Sequence, residues 1–465
     1  MHYMSETNRP DATTAFYLKT CSGIAAGLIL LLLPCASPAQ EPAWFPGLAS
    51  RQALLEDAGW LIHGQATFVE QGNAAFRSPY RGPNSLQPAA MQRNTFSSDL
   101  ILGRRLWEGA EVVVDGQVIR GYGLSGTRGV AAFPNGEAFR IGSEVPAGFI
   151  PRAFFRQTIG LSADAVPPDG DQLRFNRPLP RERITITAGK FSVLDVFDDN
   201  RYAHDPRTQF LNWAFVGGGA FDYANDAKGF TNGIAAEWED GSWGVRLGGF
   251  QVARRINSLS LDPQPGRGWQ ALAQLDHFHE LGGRPGAVRL LGGLSRTRSQ
   301  TYAALLAGDI EATNESPRGG YRIKQMLTLN MEQEVSDSLG AFVRFSWNDG
   351  RSQQWMYTQM DWAASAGISM RGTAWERPYD VVGLAGNIGG LSSGQRRFLE
   401  AGGLGFILGD GRLNYRPEIA TELYYDAPVA PGMNIAANIQ IITNPGHNAD
   451  RGPVVVFGGR LRTAF

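Results

Sequence analysis

One short run of the chain gathers Asp205, Arg207, Gln209, Asn212 and Trp213. Planar donors, acceptors and an aromatic ring close together can hydrogen-bond and stack on a polar solute and release it again. Glu137, in the run PNGEAF of another irregular stretch, is a candidate to oppose them. Arg152 and Arg156 sit four apart on an alternating segment and so face one side. Glu237 is expected diagonal to Arg246 across the turn signal Asp240-Gly241, and Arg344 faces the same side of its own segment as Ser346. Arg outnumbers Lys by 39 to four, which suits rigid fork-like donors, though compositional bias gives the same count. Trp213 has two readings of equal weight, facing a solute or packed on a wall. No Ser/His/Asp constellation stands out for nucleophilic catalysis. His277 and His279 share a strand face without an evident third ligand. Asp195, Asp198, Asp199 and Asn200 lack EF-hand spacing, so solvation and capping are the expected roles. No metal, cofactor or catalytic residue is expected.

The elements that must hold these residues are strands. Ile234, Ala236 and Trp238 alternate with Gly233, Ala235 and Glu237. Beyond the turn signal, Trp243, Val245 and Leu247 alternate with Gly244, Arg246 and Gly248. A soluble sandwich would alternate in the same way. Trp at the tight-turn end and long excursions at the other favour a membrane barrel. The same period runs from Trp60 to the C-terminus, with expected strands including Trp355–Met370 and Leu413–Tyr425. The count is about sixteen, an even number that leaves both ends on the periplasmic side. The expected fold is therefore an all-β transmembrane antiparallel barrel. Residues 192–228, too long for a turn, are expected to fold inward as a constriction. The segment 163–181 is the one long connection on the tight-turn side. Phe465 ends an alternating strand and is read as an assembly signal for barrel-assembly machinery.

Length alone, 465 residues, suggests two or three soluble domains, yet no linker follows residue 50. The expected division is a cleaved signal peptide 1–39, a periplasmic segment 40–58 and a barrel 59–465. Lys19, the apolar run Ile24 to Leu33, and Ser37 and Ala39 carry the signal reading. In the second part, SRQALLEDAG reads as one helix capped by Ser50. Both cysteines, Cys21 and Cys35, fall in the signal segment, so the mature chain offers no thiol chemistry. A net charge of −1 suggests no nucleic-acid partner. An exported chain with alternating strands points to the Gram-negative outer membrane and its lipid; self-association stays open. An outer-membrane barrel enzyme of lipase or protease type and a secreted soluble β-rich binding protein are the competing classes.

Several segments resemble the carbohydrate-selective outer-membrane porin family, the OprB type. They are HGQATFVEQ, FRSPYRGPNSL, VAAFPNGEAFRIGS, ITAGKFSVLDVFDDNRYAHDPRTQFLNWAFV, WERPYDVVGLA, LSSGQRRFLEAGGLGFILGDGRLNY and TNPGHNADRGPV, which extend from residue 63 to near the C-terminus. The resemblance implies a sixteen-stranded barrel that lets mono- or small oligosaccharides diffuse passively. Glu376 stands where the family pattern leads one to expect glycine, and Arg462 and Thr463 fall in a variable region.

Overall fold

Two-faced strands close on themselves, so every barrel strand has a neighbour on both sides and the barrel sheet has no unpaired edge. The computed structural model describes residues 48–139, 142–167, 170–308 and 320–465. The expected signal segment and residues 40–47 lie outside them. The barrel strands are β1 Trp60–Asn73, β2 Met91–Trp107, β3 Ala110–Gly121, β4 Ser143–Gly160, β5 Arg183–Phe191, β6 Thr231–Glu239, β7 Trp243–Gln251 and β8 Trp269–Leu281. They continue as β9 Arg284–Thr297, β10 Arg322–Ser336, β11 Leu339–Asn348, β12 Trp362–Gly372, β13 Arg377–Gly390, β14 Glu418–Ala430, β15 Met433–Thr443 and β16 Val454–Ala464. Each pairs antiparallel with its sequence neighbours, and β16 returns to β1. The last residue completes the seam: the Phe465 N–H donates to Gly64 O at 2.9 Å, and Phe465 O accepts from the Gly64 N–H at 3.0 Å.

Polarity is inverted relative to a soluble protein. Leu100, Ile234, Leu247, Leu294, Ile323, Leu384 and Leu461 are exposed on the outside, while Asp99, Gln274, Asn330, Arg344, Glu422 and Gln440 are buried inside. That is an apolar belt for hydrocarbon around a polar lumen. Trp60, Trp107 and Trp243 are exposed at the tight-turn end, at the level of an interfacial girdle.

Several boundaries differ from expectation. Helix α1 spans Leu48–Asp57, so Ser50 lies inside it rather than at its cap. The turn after β6 holds three residues, because the Asp240 carboxylate accepts from the N–H groups of both Ser242 (2.8 Å) and Trp243 (2.7 Å). Strand β12 starts at Trp362, not Trp355: the Asp222 carboxylate captures the N–H groups of Trp355, Met356 and Tyr357 and draws that run into the lumen. Strand β14 starts at Glu418, not Leu413, and runs on to Ala430. The long periplasmic connection 161–182 contains a two-stranded hairpin, Ala165–Val166 with Leu179–Pro180. It is tied to α1 and to β1: the Asn176 N–H donates to Glu56 at 2.8 Å, and His63 meets Gln172 O at 2.8 Å and Glu56 at 3.2 Å. Glu376 adopts the left-handed φ of +63°, the conformation for which glycine was expected.

Candidate solute pathway

The excursion after β5 folds into the barrel, as its length and composition suggest. Its apolar residues cannot form a core alone, but Phe210 and Phe215 are buried against each other, with Phe210 also on Phe342 of the inner wall, and Phe221 is buried against Tyr223. Burying one such ring is worth roughly 1.5–3 kcal/mol. Its irregular backbone also needs partners, and the wall's charged side chains supply them. Glu422 accepts from the N–H groups of Leu211 and Asn212, both at 2.8 Å. Arg344 donates to the carbonyls of Phe215 (3.0 Å), Asp198 (3.2 Å) and Ala203 (3.1 Å). Arg460 donates to Pro206 O and Gln209 O, both at 2.7 Å. The segment lies so close to the wall that a Cβ on Gly218 would fall 2.9 Å from the Ser346 side chain, and one on Gly219 2.8 Å from that of Ala363.

Between this inward segment and the wall of β1–β4 and β16 runs a cavity of about 610 Å³ that reaches down to Phe465. Its size falls in the range of small-molecule sites, on the order of 300–1,000 Å³. Two guanidinium centres dominate it. Arg207 donates to Asp99 at 2.6 Å and pairs with Glu137 at 2.9 Å, joining the inward segment to β2 and to the loop after β3. Ser97 donates to the other Glu137 oxygen at 2.5 Å. Arg152 binds Asp195 through two 2.7 Å hydrogen bonds and Asp115 at 3.1 Å, with its guanidinium 4.9 Å from the Phe230 ring centroid. Burial alone would lower the Arg207 pKa, but Glu137, Asp99 and Asp205 hold it above its ordinary value. Burial would raise the Asp205 carboxyl, but Arg207's charge and its N–H, 2.9 Å away, hold it below the usual range.

Above these charges stands an aromatic cluster. Trp213 stacks on Phe133 with centroids 5.5 Å apart and planes 3° apart. Tyr357 lies 4.0 Å from Trp213 and 5.2 Å from Tyr223 between centroids. Trp213 is packed in this cluster and also borders the cavity.

Of the residues proposed from the sequence to form the constriction or line the lumen, Glu137, Arg152, Asp205, Arg207 and Trp213 border this cavity. The others lie elsewhere. Asn212 is fully buried, donating to Ala132 O and Gln440 at 2.9 Å each. Gln209 closes its own loop by accepting from the N–H groups of His204 and Asp205. Arg344 is an anchor of the inward segment. Arg156 pairs with Glu111 at 2.7 Å and donates to Leu173 O at 3.1 Å, fastening the periplasmic connection. Glu237 sits directly opposite Arg246, not diagonal to it, at 3.0 Å; Arg246 also binds Asp276 and Val196 O. The sequence reading missed Tyr223 and Tyr357. Tyr357 was hidden inside an expected strand, and its only signal was the polar run Arg351–Gln354 that breaks the alternation before it. Gly390-Leu391-Ser392-Ser393-Gly394 has nucleophile-elbow spacing, but Ser392 caps the helix Ser393–Glu400 and donates to Gly350 O. Among the described residues its hydrogen-bond partners include no histidine.

A closed barrel with an apolar belt, a polar interior and a segment folded into its lumen defines an outer-membrane porin. The model of the carbohydrate-selective porin, OprB family, matches residues 84–465, and the chain belongs to that family. It is an outer-membrane sugar channel. The high-pH structure of Pseudomonas putida OprB matches at a TM-score of 0.68 and 16% identity, covering 90% of this chain and 97% of that one. The outer-membrane channel DcaP of Acinetobacter baumannii matches at a TM-score of 0.49 and 10% identity, covering 88% and 98%. No curated protein matches in sequence.

Proposed function

We propose that sugars cross this porin through the cavity bounded by Arg152, Arg207, Glu137 and Asp205, with Trp213, Tyr223 and Tyr357 as the plate on which a pyranose face rests. The observation that carries this reading is the charge balance of the lining. Among the described residues, Arg152, Arg207, Lys228 and Arg462 stand against Glu137, Asp171, Asp195 and Asp205, so fixed donors and acceptors surround the path and the lining side-chain charges cancel. Such a lining replaces water on the hydroxyls of a neutral solute without trapping an ion. On this reading the chain is exported by a signal peptide cleaved after Ala39, and Phe465 is read by barrel-assembly machinery during insertion. Single-channel recording in planar bilayers tests the pathway. Mono- and disaccharides should interrupt the current in a concentration-dependent way, and Arg207→Ala should shorten those interruptions several-fold. A sugar block that survives Arg207→Ala unchanged would place the pathway elsewhere.

A further inference from the structure

Outside the lumen, at the extracellular edge of the apolar belt, four arginines line one crevice, and three of them gather around a tyrosine. Arg254, Arg267, Arg296 and Arg298 line an open crevice of about 390 Å³ together with Tyr321 and Asp262. The guanidinium centres of Arg267, Arg296 and Arg298 lie 5.3, 5.2 and 5.9 Å from the Tyr321 ring centroid. Alternation puts Arg296 on the outer face of β9, one step above the exposed Leu294. Its registered neighbours on the adjoining strands are Trp269 and Ile323, and Ile323 is 53% exposed. The cluster thus sits at the level where hydrocarbon gives way to headgroups.

Among the described residues, its four positive charges face a single lining carboxylate. That carboxylate, Asp262, accepts from the Tyr321 hydroxyl at 2.7 Å and from the Gln264 N–H at 3.0 Å rather than from an arginine. Among the described residues none of the four arginines forms an ion pair; Arg296 donates to Arg267 O at 2.9 Å, and Arg267 reaches the Gln264 side chain at 3.4 Å. Like charges gathered on one ring repel, and a multiply charged anion relieves that repulsion. Guanidinium forks match phosphate oxygens in pairs, and a basic cluster at a membrane surface draws anionic headgroups.

We propose that this crevice binds the phosphate groups of a phosphorylated glycolipid in the outer leaflet, with the lipid's chains lying along Leu294 and Ile323. The test uses the full barrel in detergent and native mass spectrometry, with bis-phosphorylated lipid A and its dephosphorylated form as probes. The wild type should hold the phosphorylated form at least ~10-fold more tightly, the scale of one or two charge-assisted hydrogen bonds. Arg254→Gln, Arg267→Gln, Arg296→Gln and Arg298→Gln together should abolish that preference and leave sugar block of the current unchanged. If the fourfold variant fails to fold, the pair Arg254→Gln and Arg267→Gln, both on an exposed loop, should still lower it by roughly threefold. Equal binding of the two lipids by the wild type, or a preference that survives in the variants, overturns the proposal. So does inorganic phosphate that displaces the lipid at equal concentration, which would make the crevice a site for free phosphate. The sugar pathway stands or falls separately, on the block of the current.

Discussion

At the residue scale, the two lumen arginines that share a strand face do different work, and that difference is testable. Arg152 borders the cavity between Asp115 and Asp195, whereas Arg156 is held by Glu111 and the carbonyl of Leu173. Arg152→Ala removes the positive partner of two carboxylates beside the path, so reversal potentials should shift toward cation selectivity. Arg156→Ala should shift them much less and instead loosen the periplasmic connection, visible as faster proteolysis of 161–182. Equal shifts would mean that the path runs past both. The aromatic plate invites a second comparison. Tyr357→Ala and Trp213→Ala each remove one face of a stacked cluster, worth about 0.5–1.5 kcal/mol beyond buried area. Sugar block should weaken by roughly two- to tenfold in each, with a smaller change in conductance, as measured by current-noise titration with glucose. An unchanged titration in Tyr357→Ala would leave that ring a purely structural contact.

At the element scale, the inward segment is fixed by wall residues that also face the lumen, so its removal has opposing effects. Excising 205–219 with a short Gly/Ser closure strips Glu422 of two N–H donors and Arg460 of two carbonyls. Water entering the emptied lumen solvates those groups, so the barrel should still form, with raised conductance and reduced discrimination among sugars. Glu422→Ala with the segment in place is the sharper test. Two buried N–H groups then lose their acceptor, at roughly 1–3 kcal/mol each, and the current should become noisy without a large rise in its mean. A quiet current would show that the other anchors suffice. The same anchors explain what the sequence could and could not disclose. Strand faces follow from a period of 2, and so Arg152, Glu237 and Arg344 were legible as inward-facing. Which inward side chain meets water and which meets loop backbone depends on how an irregular segment lies, and no periodicity encodes that. Tyr357 shows the limit: only the capture of its N–H by Asp222, more than a hundred residues away in sequence, lifts it from an expected strand into the lumen.

At the scale of the whole molecule, closure depends on the last residues of the chain. Strand β16 closes the barrel on β1, and the register runs from Asn73 opposite Val456 to Gln65 opposite Ala464. Phe465 adds the final pair of backbone hydrogen bonds, to Gly64. Its ring occupies the space above Gly64, where an added Cβ would lie 2.6 Å from the ring edge. The glycine and the terminal aromatic therefore fit one another across the seam, and alanine at position 64 would push the ring away. Deleting Phe465 should lower the folded, membrane-inserted fraction several-fold while leaving export intact, read as the heat-modifiable band against total periplasmic and membrane protein. Gly64→Ala should show a milder form of the same defect, because it displaces the ring but spares the backbone pair. If both variants insert like the wild type, closure is secured by the registered strand alone, and the terminal residue carries no weight in assembly.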